Sequence, residues 1–221
     1  MFAAMRSERM EALHLYSDPA TGLEAVVAIH NTKLGPALGG CRYLAYNSLD
    51  DALADAMRLA RGMSYKAALA GLEQGGGKAV ILRQPHVADR AALFEAFGRC
   101  IESLRGGYIT AVDSGTSSAD MDCIAQHTAH VTSTTHAGDP SPHTALGVLA
   151  GMRSAVNARL GQSSLAGVRV VLQGLGNVGY ALAELLQAEG AELLVADHQG
   201  EVRANGLAAS GEYLGDLVVA L

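Results

Sequence analysis

Apolar and polar residues along the first part of the chain follow two periods, one typical of strands and one typical of helices. Residues 23–30 are a run of mostly apolar and β-branched residues after the turn at 18–22, and they are predicted as the first strand. Ser48 precedes a segment whose first turn carries Asp50 and Asp51 and whose apolar residues recur at helical spacing. This pattern predicts a helix that Ser48 caps.

The same alternation continues through the middle of the chain. Residues 79–82 are a short apolar run that predicts a buried strand, and a helix is predicted to begin after Asp89. Gly106 and Gly107 end that helix, and residues 108–112 are predicted as the next strand. Alternating helices and strands predict a mixed α/β unit for this part of the chain.

A second unit is predicted after the polar stretch 134–142. A helix that begins at about residue 143 and an apolar strand at 168–173 lead into a turn with the spacing G-x-G-x-x-G. Because the turn follows a strand and opens an amphipathic helix, it is typical of a Rossmann unit, whose glycines let a pyrophosphate rest on the helix N-terminus. The predicted cofactor-binding residues of this turn are Gly174, Gly176, Asn177, Val178 and Gly179.

Asp197 ends the next predicted strand, where such units place a carboxylate on the ribose hydroxyls. A carboxylate there disfavours the 2′-phosphate of NADP, so NAD is the predicted cofactor. Only 24 residues remain, from 198 to 221, and they could supply one more strand, at 217–221, whereas a doubly wound domain needs several. We therefore expect a catalytic and substrate-binding domain at 1–136, and a hinge helix with a C-terminally truncated NAD-binding domain at 137–221.

Composition narrows the expected partners. The 221-residue chain is 49% hydrophobic and 17% charged, with a net charge of -6 and no basic stripe, so neither nucleic acid nor a membrane surface is an expected partner. No apolar run is long enough for a transmembrane helix, and a cytoplasmic location is expected. The 3 cysteines have no spacing typical of a disulfide framework or a zinc site, so no metal is predicted.

Lysine is rare in this chain, and two of its lysines lie close together. Of the 16 lysines and arginines, only Lys33, Lys66 and Lys78 are lysines. A lysine ammonium can lose its proton near neutral pH when it is buried or lies beside another cation, whereas a guanidinium stays charged. The placement marks residues 63–78 as candidate chemistry, although codon usage that favours arginine would give the same pattern by chance.

Two glycine-rich segments are interpreted as loops beside a ligand. Residues 75–77 are three glycines directly before Lys78, and a loop entering a strand there would let the backbone approach a ligand closely. A flexible turn is the alternative interpretation. Residues 35–42 contain three glycines and one proline, and they are interpreted as a binding loop.

Asp113 directly follows the strand predicted at 108–112. Open α/β sheets place ligands at the carboxyl ends of their strands, which favours a functional role for this carboxylate. It could equally cap the helix that follows, as could Ser117 or Ser118, so the sequence leaves both roles open.

Five segments together resemble the leucine, phenylalanine and valine dehydrogenase group of the glutamate dehydrogenase superfamily. The resemblance covers residues 23–197 and implies an α/β fold with a catalytic domain followed by a partial Rossmann domain. It implies NAD-dependent oxidative deamination of an amino acid to its 2-oxo acid and ammonia. The segments are GPALGGCR at 35–42, MSYKAALAGLEQGGGK at 63–78, DSGT at 113–116, PSPHT at 140–144 and QGLGNVG at 173–179.

The resemblance also implies roles for individual residues. Lys66 would bind the substrate α-carboxylate with the backbone around Gly40, and Lys78, with a pKa lowered by Lys66 and by burial, would act as general base on water. Asp113 would relay protons to and from the substrate amine, and Thr144 would lie against the nicotinamide. The implied substrate-binding residues are Lys66, Gly40, Met63 and Leu38, and the implied catalytic residues are Lys78 and Asp113.

Leu38 bears on the side chain of the substrate. Glutamate-specific relatives carry a lysine at this position to meet the side-chain carboxylate, and burying an unpaired carboxylate against leucine is costly. Leucine, valine or phenylalanine is therefore the expected substrate, and the residues do not rank the three. Gln84 departs from the family pattern, which has Asp, Asn, Ser or Thr at that position.

The sequence leaves more than one function open. The family implies a homo-oligomer that assembles through the N-terminal domain. A non-catalytic truncated paralogue could instead act as an oligomerisation or ligand-binding module, and an enzyme of the same fold could couple an oxo acid to another nucleophile. The intact Lys66, Lys78 and Asp113 favour catalysis, because a costly buried lysine pair has no purpose in a module. The missing C-terminal portion favours the module.

Overall fold

The first unit of the chain, Met1–Asp139, is built around a mixed five-stranded sheet. The structure is a computed structural model that describes residues 1–197, 200–202 and 218–220, the last two segments and Asp197 without their side chains. The strands of the first sheet are β1 Ala12–Asp18, β2 Leu23–Asn31, β3 Ala37–Leu44, β4 Gly75–Leu82 and β5 Tyr108–Val112. Their order is β1-β2-β4-β3-β5; β2 is antiparallel to β1 and β4, and β3 is parallel to β4 and β5.

Helices pack on both faces of this sheet. They are α1 Phe2–Glu8, α2 Leu49–Leu69, α3 Arg90–Ser103 and α4 Ser118–Ala125. α2 packs mainly over β2 and β4, where Leu53 and Met57 join Val80 in a buried cluster. α3 and α4 pack on the opposite face, where Phe94 and Tyr108 belong to the larger core. On the face where α2 packs, this helix covers β2 and β4 far more than β3 and β5, so β3 and β5 are less covered by helix there.

Polar side chains cap three of the four helices of the first unit, and the predicted Ser48 cap is one of them. Ser48 accepts the backbone N–H of Asp51 at 3.1 Å at the start of α2, and Asp89 caps α3. Ser117 caps α4 in a capping box, which satisfies backbone N–H groups that the first turn leaves unpaired. The structure thus assigns this cap to Ser117 and places Asp113 outside it.

The strand predicted as the first of the chain is the second. Residues 23–30 lie in β2, and α1 and β1 precede it. β1 is an edge strand that is at most half-buried, and it carries His14, Ser17 and Asp18 among its apolar residues. An edge strand with this composition lacks the clean apolar alternation that sequence analysis detects.

The two glycine-rich segments interpreted as loops are strands. Most of 35–42 lies in β3, and β4 begins at Gly75, so all three glycines before Lys78 are within a strand. Glycine weakens strands in general, but a Cβ at Gly77 would lie 2.6 Å from the ring of Tyr108. The glycines are therefore needed to leave room for neighbouring groups, rather than for the conformational freedom of a loop.

The second unit, Pro140–Leu221, has a four-stranded sheet of order β8-β7-β6-β9. Its elements are α5 Ser141–Leu160, β6 Arg169–Gln173, α6 Asn177–Ala188, β7 Glu192–Asp197, β8 Gly200–Val202 and β9 Val218–Ala220. β6 is parallel to β7 and β9, and its Val170 and Leu172 pack in a core with Leu182 and Leu186 of α6. The strand predicted at 217–221 is present as β9, whereas β8 was not predicted. The two units confirm the predicted α/β class.

No helix in the described part of the chain combines the length and the apolar character that crossing a membrane requires.

Candidate active site

The register of the first sheet places three of the predicted site residues side by side. In the parallel pair of β3 and β4, Leu38 lies opposite Gly76 and the pairing continues in step, which sets Gly40 opposite Lys78. In the pair of β3 and β5, Gly40 lies opposite Ala111, so Asp113 follows on the same face. Lys78, Gly40 and Asp113 therefore share the face of the sheet on which α2 packs.

Lys78 and Asp113 contact each other across the strand that separates them. The Lys78 ammonium donates a hydrogen bond to Asp113 Oδ2. The Lys78 side chain is 7% exposed and that of Asp113 is 16% exposed. Gly40 lies between them, and a Cβ there would be 2.7 Å from Asp113 Cβ and 2.8 Å from Asp113 Oδ2. Because Gly40 has no side chain, the Lys78 side chain of β4 has room to reach Asp113 at the end of β5.

The surroundings of Lys78 favour its neutral form. The pKa of Lys78 is lowered from 10.5 to about 8, mainly by burial and next by the nearby charge of Arg42. Lys66 acts in the same direction, but it contributes less than burial and Arg42. Burial and Lys66 therefore both lower this pKa as expected, and the structure adds Arg42 as the more effective cation. The expectation of a buried lysine pair is corrected, because Lys66 is exposed on the last turn of α2.

Arg42 lies in the candidate site, although the sequence analysis does not single it out as a site residue. It belongs to β3 and follows Gly40 by two residues, so both face the same side of the sheet. Its Nη1 donates to Asp55 Oδ2 at 2.9 Å, and its Nε lies 3.5 Å from Asp113 Oδ1. A strand prediction for 37–44 would have identified it, because alternation would then have aligned it with Gly40.

The remaining predicted substrate contacts lie on β3 and α2. Leu38 is half-buried on the same face as Gly40, and Met63 is half-buried on α2. Ser64, next to Met63, is linked to His30 of β2 by a 2.7 Å hydrogen bond between Ser64 Oγ and His30 Nδ1. This bond fixes the part of α2 that carries Met63 and Lys66 to the sheet.

The glycine-rich turn of the second unit joins β6 to α6 and contains the predicted cofactor-binding residues. Gly174 has a φ of 95°, in the left-handed region, and its N–H donates to the carbonyl of Ala196 at 2.7 Å. Gly176 precedes α6 without a side-chain cap, so the N–H groups of the first turn, including those of Asn177 and Val178, have no capping side chain. A Cβ at Gly179 would lie 2.1 Å from the carbonyl oxygen of Gly174, so only glycine lets the helix pack this closely against the turn. These features fit a dinucleotide pyrophosphate.

Two further predicted cofactor contacts lie elsewhere in this unit. Thr144 is exposed in the first turn of α5, where its hydroxyl donates to the carbonyl of Pro140 at 3.2 Å. Asp197 ends β7, and its side chain lies outside the described residues. Within the described ranges, His, Cys, Asp and Glu side chains form no group of three that could hold a metal ion.

Family models match both units of the chain. Residues 9–130 match the model described as "Glu/Leu/Phe/Val dehydrogenase, dimerisation domain", and residues 139–214 match the model described as "Glutamate/Leucine/Phenylalanine/Valine dehydrogenase".

Individual proteins show the same similarity. Leucine dehydrogenase of Geobacillus stearothermophilus is 48% identical over 215 residues, which cover 96% of this chain and 59% of the relative. Valine dehydrogenase of Streptomyces virginiae is 46% identical over 195 residues, which cover 86% of this chain and 54% of the relative. The crystal structure of L-tryptophan dehydrogenase from Nostoc punctiforme is similar with a TM-score of 0.66 and 40% identity, covering 88% of this chain and 56% of that one. The chain thus spans somewhat more than half the length of the relatives it matches.

Proposed function

Because this chain belongs to the Glu/Leu/Phe/Val dehydrogenase family, we propose that it catalyses NAD-dependent oxidative deamination of an apolar L-amino acid such as leucine, valine or phenylalanine. The observation that carries this proposal is the contact between Lys78 and Asp113 across Gly40. A buried lysine with a pKa of about 8 is neutral at moderately alkaline pH, which is the state that a general base requires. The names of the leucine, valine and tryptophan dehydrogenases that the chain resembles support an apolar substrate.

The proposed chemistry is divided among four residues of the first unit. Lys66 binds the α-carboxylate of the substrate, together with backbone groups around Gly40. Asp113 accepts the proton of the substrate ammonium, which leaves the amine lone pair free to form the imine. Neutral Lys78 then removes a proton from the water that adds to the imine carbon, and loss of ammonia leaves the 2-oxo acid.

The second unit supplies the proposed cofactor site. When bound there, NAD supplies the acceptor for the hydride of the substrate Cα. Gly174, Gly176 and Gly179 shape the turn, and the N–H groups of Asn177 and Val178 interact with the pyrophosphate. The proposed contacts to the ribose and to the nicotinamide are Asp197 and Thr144.

We also propose that the first unit mediates self-association. The family model that residues 9–130 match is described as a dimerisation domain. β1 lies at an edge of the first sheet, and an edge strand presents backbone N–H and C=O groups that a second copy can pair with. Equilibrium sedimentation of the purified chain tests this proposal.

The proposed reaction is tested by NAD reduction with the purified 221-residue protein. Leucine, valine, phenylalanine and glutamate are offered separately over a range of pH. We expect turnover with at least one apolar amino acid, with a rate that rises through a pH of about 8 and levels off above it, because Lys78 must lose its proton to act. Protein that is folded by circular dichroism but turns over none of them would overturn the enzyme proposal and favour the non-catalytic module. Calorimetric titration with amino acid and with NAD would then separate a ligand-binding module from an oligomerisation module.

A lysine in place of Leu38 is expected to shift the substrate preference toward glutamate. Leu38 is half-buried on the face that carries Lys78, so an ammonium there would pair with the side-chain carboxylate of glutamate. Because the side-chain carboxylate of glutamate would no longer be buried without a partner, kcat/KM for glutamate relative to leucine should rise by about 10-fold to 100-fold. Leu34→Lys is the matched control, because Leu34 is an exposed leucine just before β3. Equal shifts in both variants, or none in Leu38→Lys, would exclude Leu38 from the substrate pocket.

A further inference from the structure

Arg42 links two carboxylates on the face of the sheet that carries the candidate active site. Its Nη1 donates to Asp55 of α2 at 2.9 Å, and its Nε lies 3.5 Å from Oδ1 of Asp113, which directly follows β5. We propose that Arg42 is a positioning residue, which α2 holds through Asp55 and which orients Asp113 beside Lys78. The catalytic part of this inference rests on the proposed function, whereas the contacts of Arg42 with Asp55 and Asp113 do not depend on that function.

Asp55 provides a rigid anchor for the guanidinium. Its Oδ2 also accepts the hydroxyl of Tyr46 at 2.8 Å, and its Oδ1 accepts from Arg58 at 2.9 Å. Burial raises the pKa of Asp55, but the bonds from Arg58 and Tyr46 and the charge of Arg42 outweigh it, so that the pKa is lowered. Asp55 is therefore ionised, and a charge-assisted bond holds Arg42 in one orientation.

The Nε–H group of Arg42, which faces the candidate active site, donates no hydrogen bond. Nε is buried and has no hydrogen-bond partner, although Asp113 Oδ1 lies only 3.5 Å away. A buried N–H without an acceptor is costly, and attraction between the opposite charges favours an Asp113 carboxylate that faces Arg42. Asp113 is thus held between two cations, with Lys78 at Oδ2 and Arg42 at Oδ1.

The charged groups near Lys78 come from three elements. The end of β5 is followed by Asp113, β3 contributes Arg42, and α2 contributes Asp55 and Lys66. The Cys41 thiol is also near, but burial raises its pKa, so it stays neutral over the working range of pH. Arg42 lowers the pKa of Lys78 more than Lys66 does, and it remains charged at every pH of interest. The neutral form of Lys78 therefore depends on an arginine that need not touch the substrate.

The scarcity of lysine allows a direct test that needs no turnover. The chain has only Lys33, Lys66 and Lys78, so protein grown with lysine isotopically labelled at Cε gives three side-chain NMR signals, which single Lys→Arg variants assign. Arg42→Gln removes a nearby positive charge and should raise the titration midpoint of Lys78 by about 1 pH unit. Arg58→Gln is the matched control: Arg58 binds the same Asp55, but its side chain is 70% exposed, so the Lys78 midpoint should stay unchanged.

Each outcome decides the proposal. A Lys78 midpoint that Arg42→Gln leaves in place, or that Arg58→Gln raises equally, overturns it. Arg42→Met, which keeps an apolar stem of similar length but removes the guanidinium with its charge and its hydrogen bonds, is the second variant if Arg42→Gln does not fold; if neither folds while Arg58→Gln does, Arg42 is a structural residue and the proposal is wrong. Where the wild-type chain turns over substrate, the rise of kcat with pH should move upward by the same amount in Arg42→Gln. Wild-type protein without turnover would refute the proposed function, and the NMR midpoint would still decide the role of Arg42.

Discussion

Alanine in place of Lys78 is expected to lower kcat for an apolar amino acid by about 1000-fold or more, the loss that removal of a general base produces. Lys78 is buried beside Asp113 and has a pKa of about 8, so its neutral amine is available as a base at moderately alkaline pH. Alanine at this position has no group that could take its place. The rate that remains should lose its rise through a pH of about 8, because the titrating group is gone. NAD reduction over pH, with circular dichroism to verify the fold, measures both effects.

Two comparisons separate loss of the base from damage to the fold. Lys33→Ala is the matched control, since Lys33 is an exposed lysine outside the site and its removal should leave kcat unchanged. Small primary amines added to Lys78→Ala should restore part of the rate, because the deleted side chain leaves a space in which a free amine can act as the base. A folded Lys78→Ala protein that keeps its activity would exclude Lys78 as the base. Absence of amine rescue would favour a structural role for the lysine.

The sequence predicts the elements that frame this site better than it predicts the strands within it. The Ser48 cap, the strand Tyr108–Val112 and the glycine-rich turn between β6 and α6 are present as predicted, because caps and apolar runs are local signals. Asp113 was correctly placed at a strand end, but its cap role could be rejected only once Ser117 was seen to form the capping box.

The errors have a common physical origin. Glycine-rich segments are predicted as loops because glycine is costly in a strand, yet β3 and β4 contain five glycines at Gly39, Gly40, Gly75, Gly76 and Gly77. The need for these glycines comes from groups distant in sequence: a Cβ at Gly76 would lie 2.2 Å from the backbone nitrogen of Ser64 in α2. Local propensity contains no information about such a neighbour.

The missed role of Arg42 follows from the same error. Without a strand at 37–44, nothing in the sequence aligns Arg42 with Gly40 and Lys78, so only burial and Lys66 are expected to lower the pKa of Lys78. The pairing of β3 with β4 places Arg42 where its charge lowers this pKa more than the charge of Lys66 does. Electrostatic partners of a buried group depend on strand order, which composition and spacing do not reveal.

Alanine in place of Gly40 is expected to separate Lys78 from Asp113 and to lower kcat by about 100-fold or more, as a displacement of catalytic groups by about 1 Å can do. The added methyl group would lie 2.7 Å from Asp113 Cβ and 2.9 Å from the carbonyl oxygen of Val112, so both the side chain and the end of β5 must move. Gly40 does not have a φ in the left-handed region, so the expected effect comes from lack of space alone. Overpacking of this kind should also reduce the free energy of unfolding by about 1 to 3 kcal/mol.

The Lys78 NMR signal identifies the cause of any loss. Moving the Asp113 carboxylate away removes an opposite charge, which favours the neutral amine and should shift the Lys78 midpoint to lower pH. Gly62→Ala is the matched control, because a Cβ there meets nothing within 4 Å and the residue lies within helix α2; it should keep full activity and gain stability. If Gly40→Ala keeps both the rate and the Lys78 midpoint, the contact between Lys78 and Asp113 does not depend on the space that Gly40 leaves free. A lost rate with an unchanged midpoint would instead place the effect of Gly40 on the substrate carboxylate, which its backbone is proposed to bind.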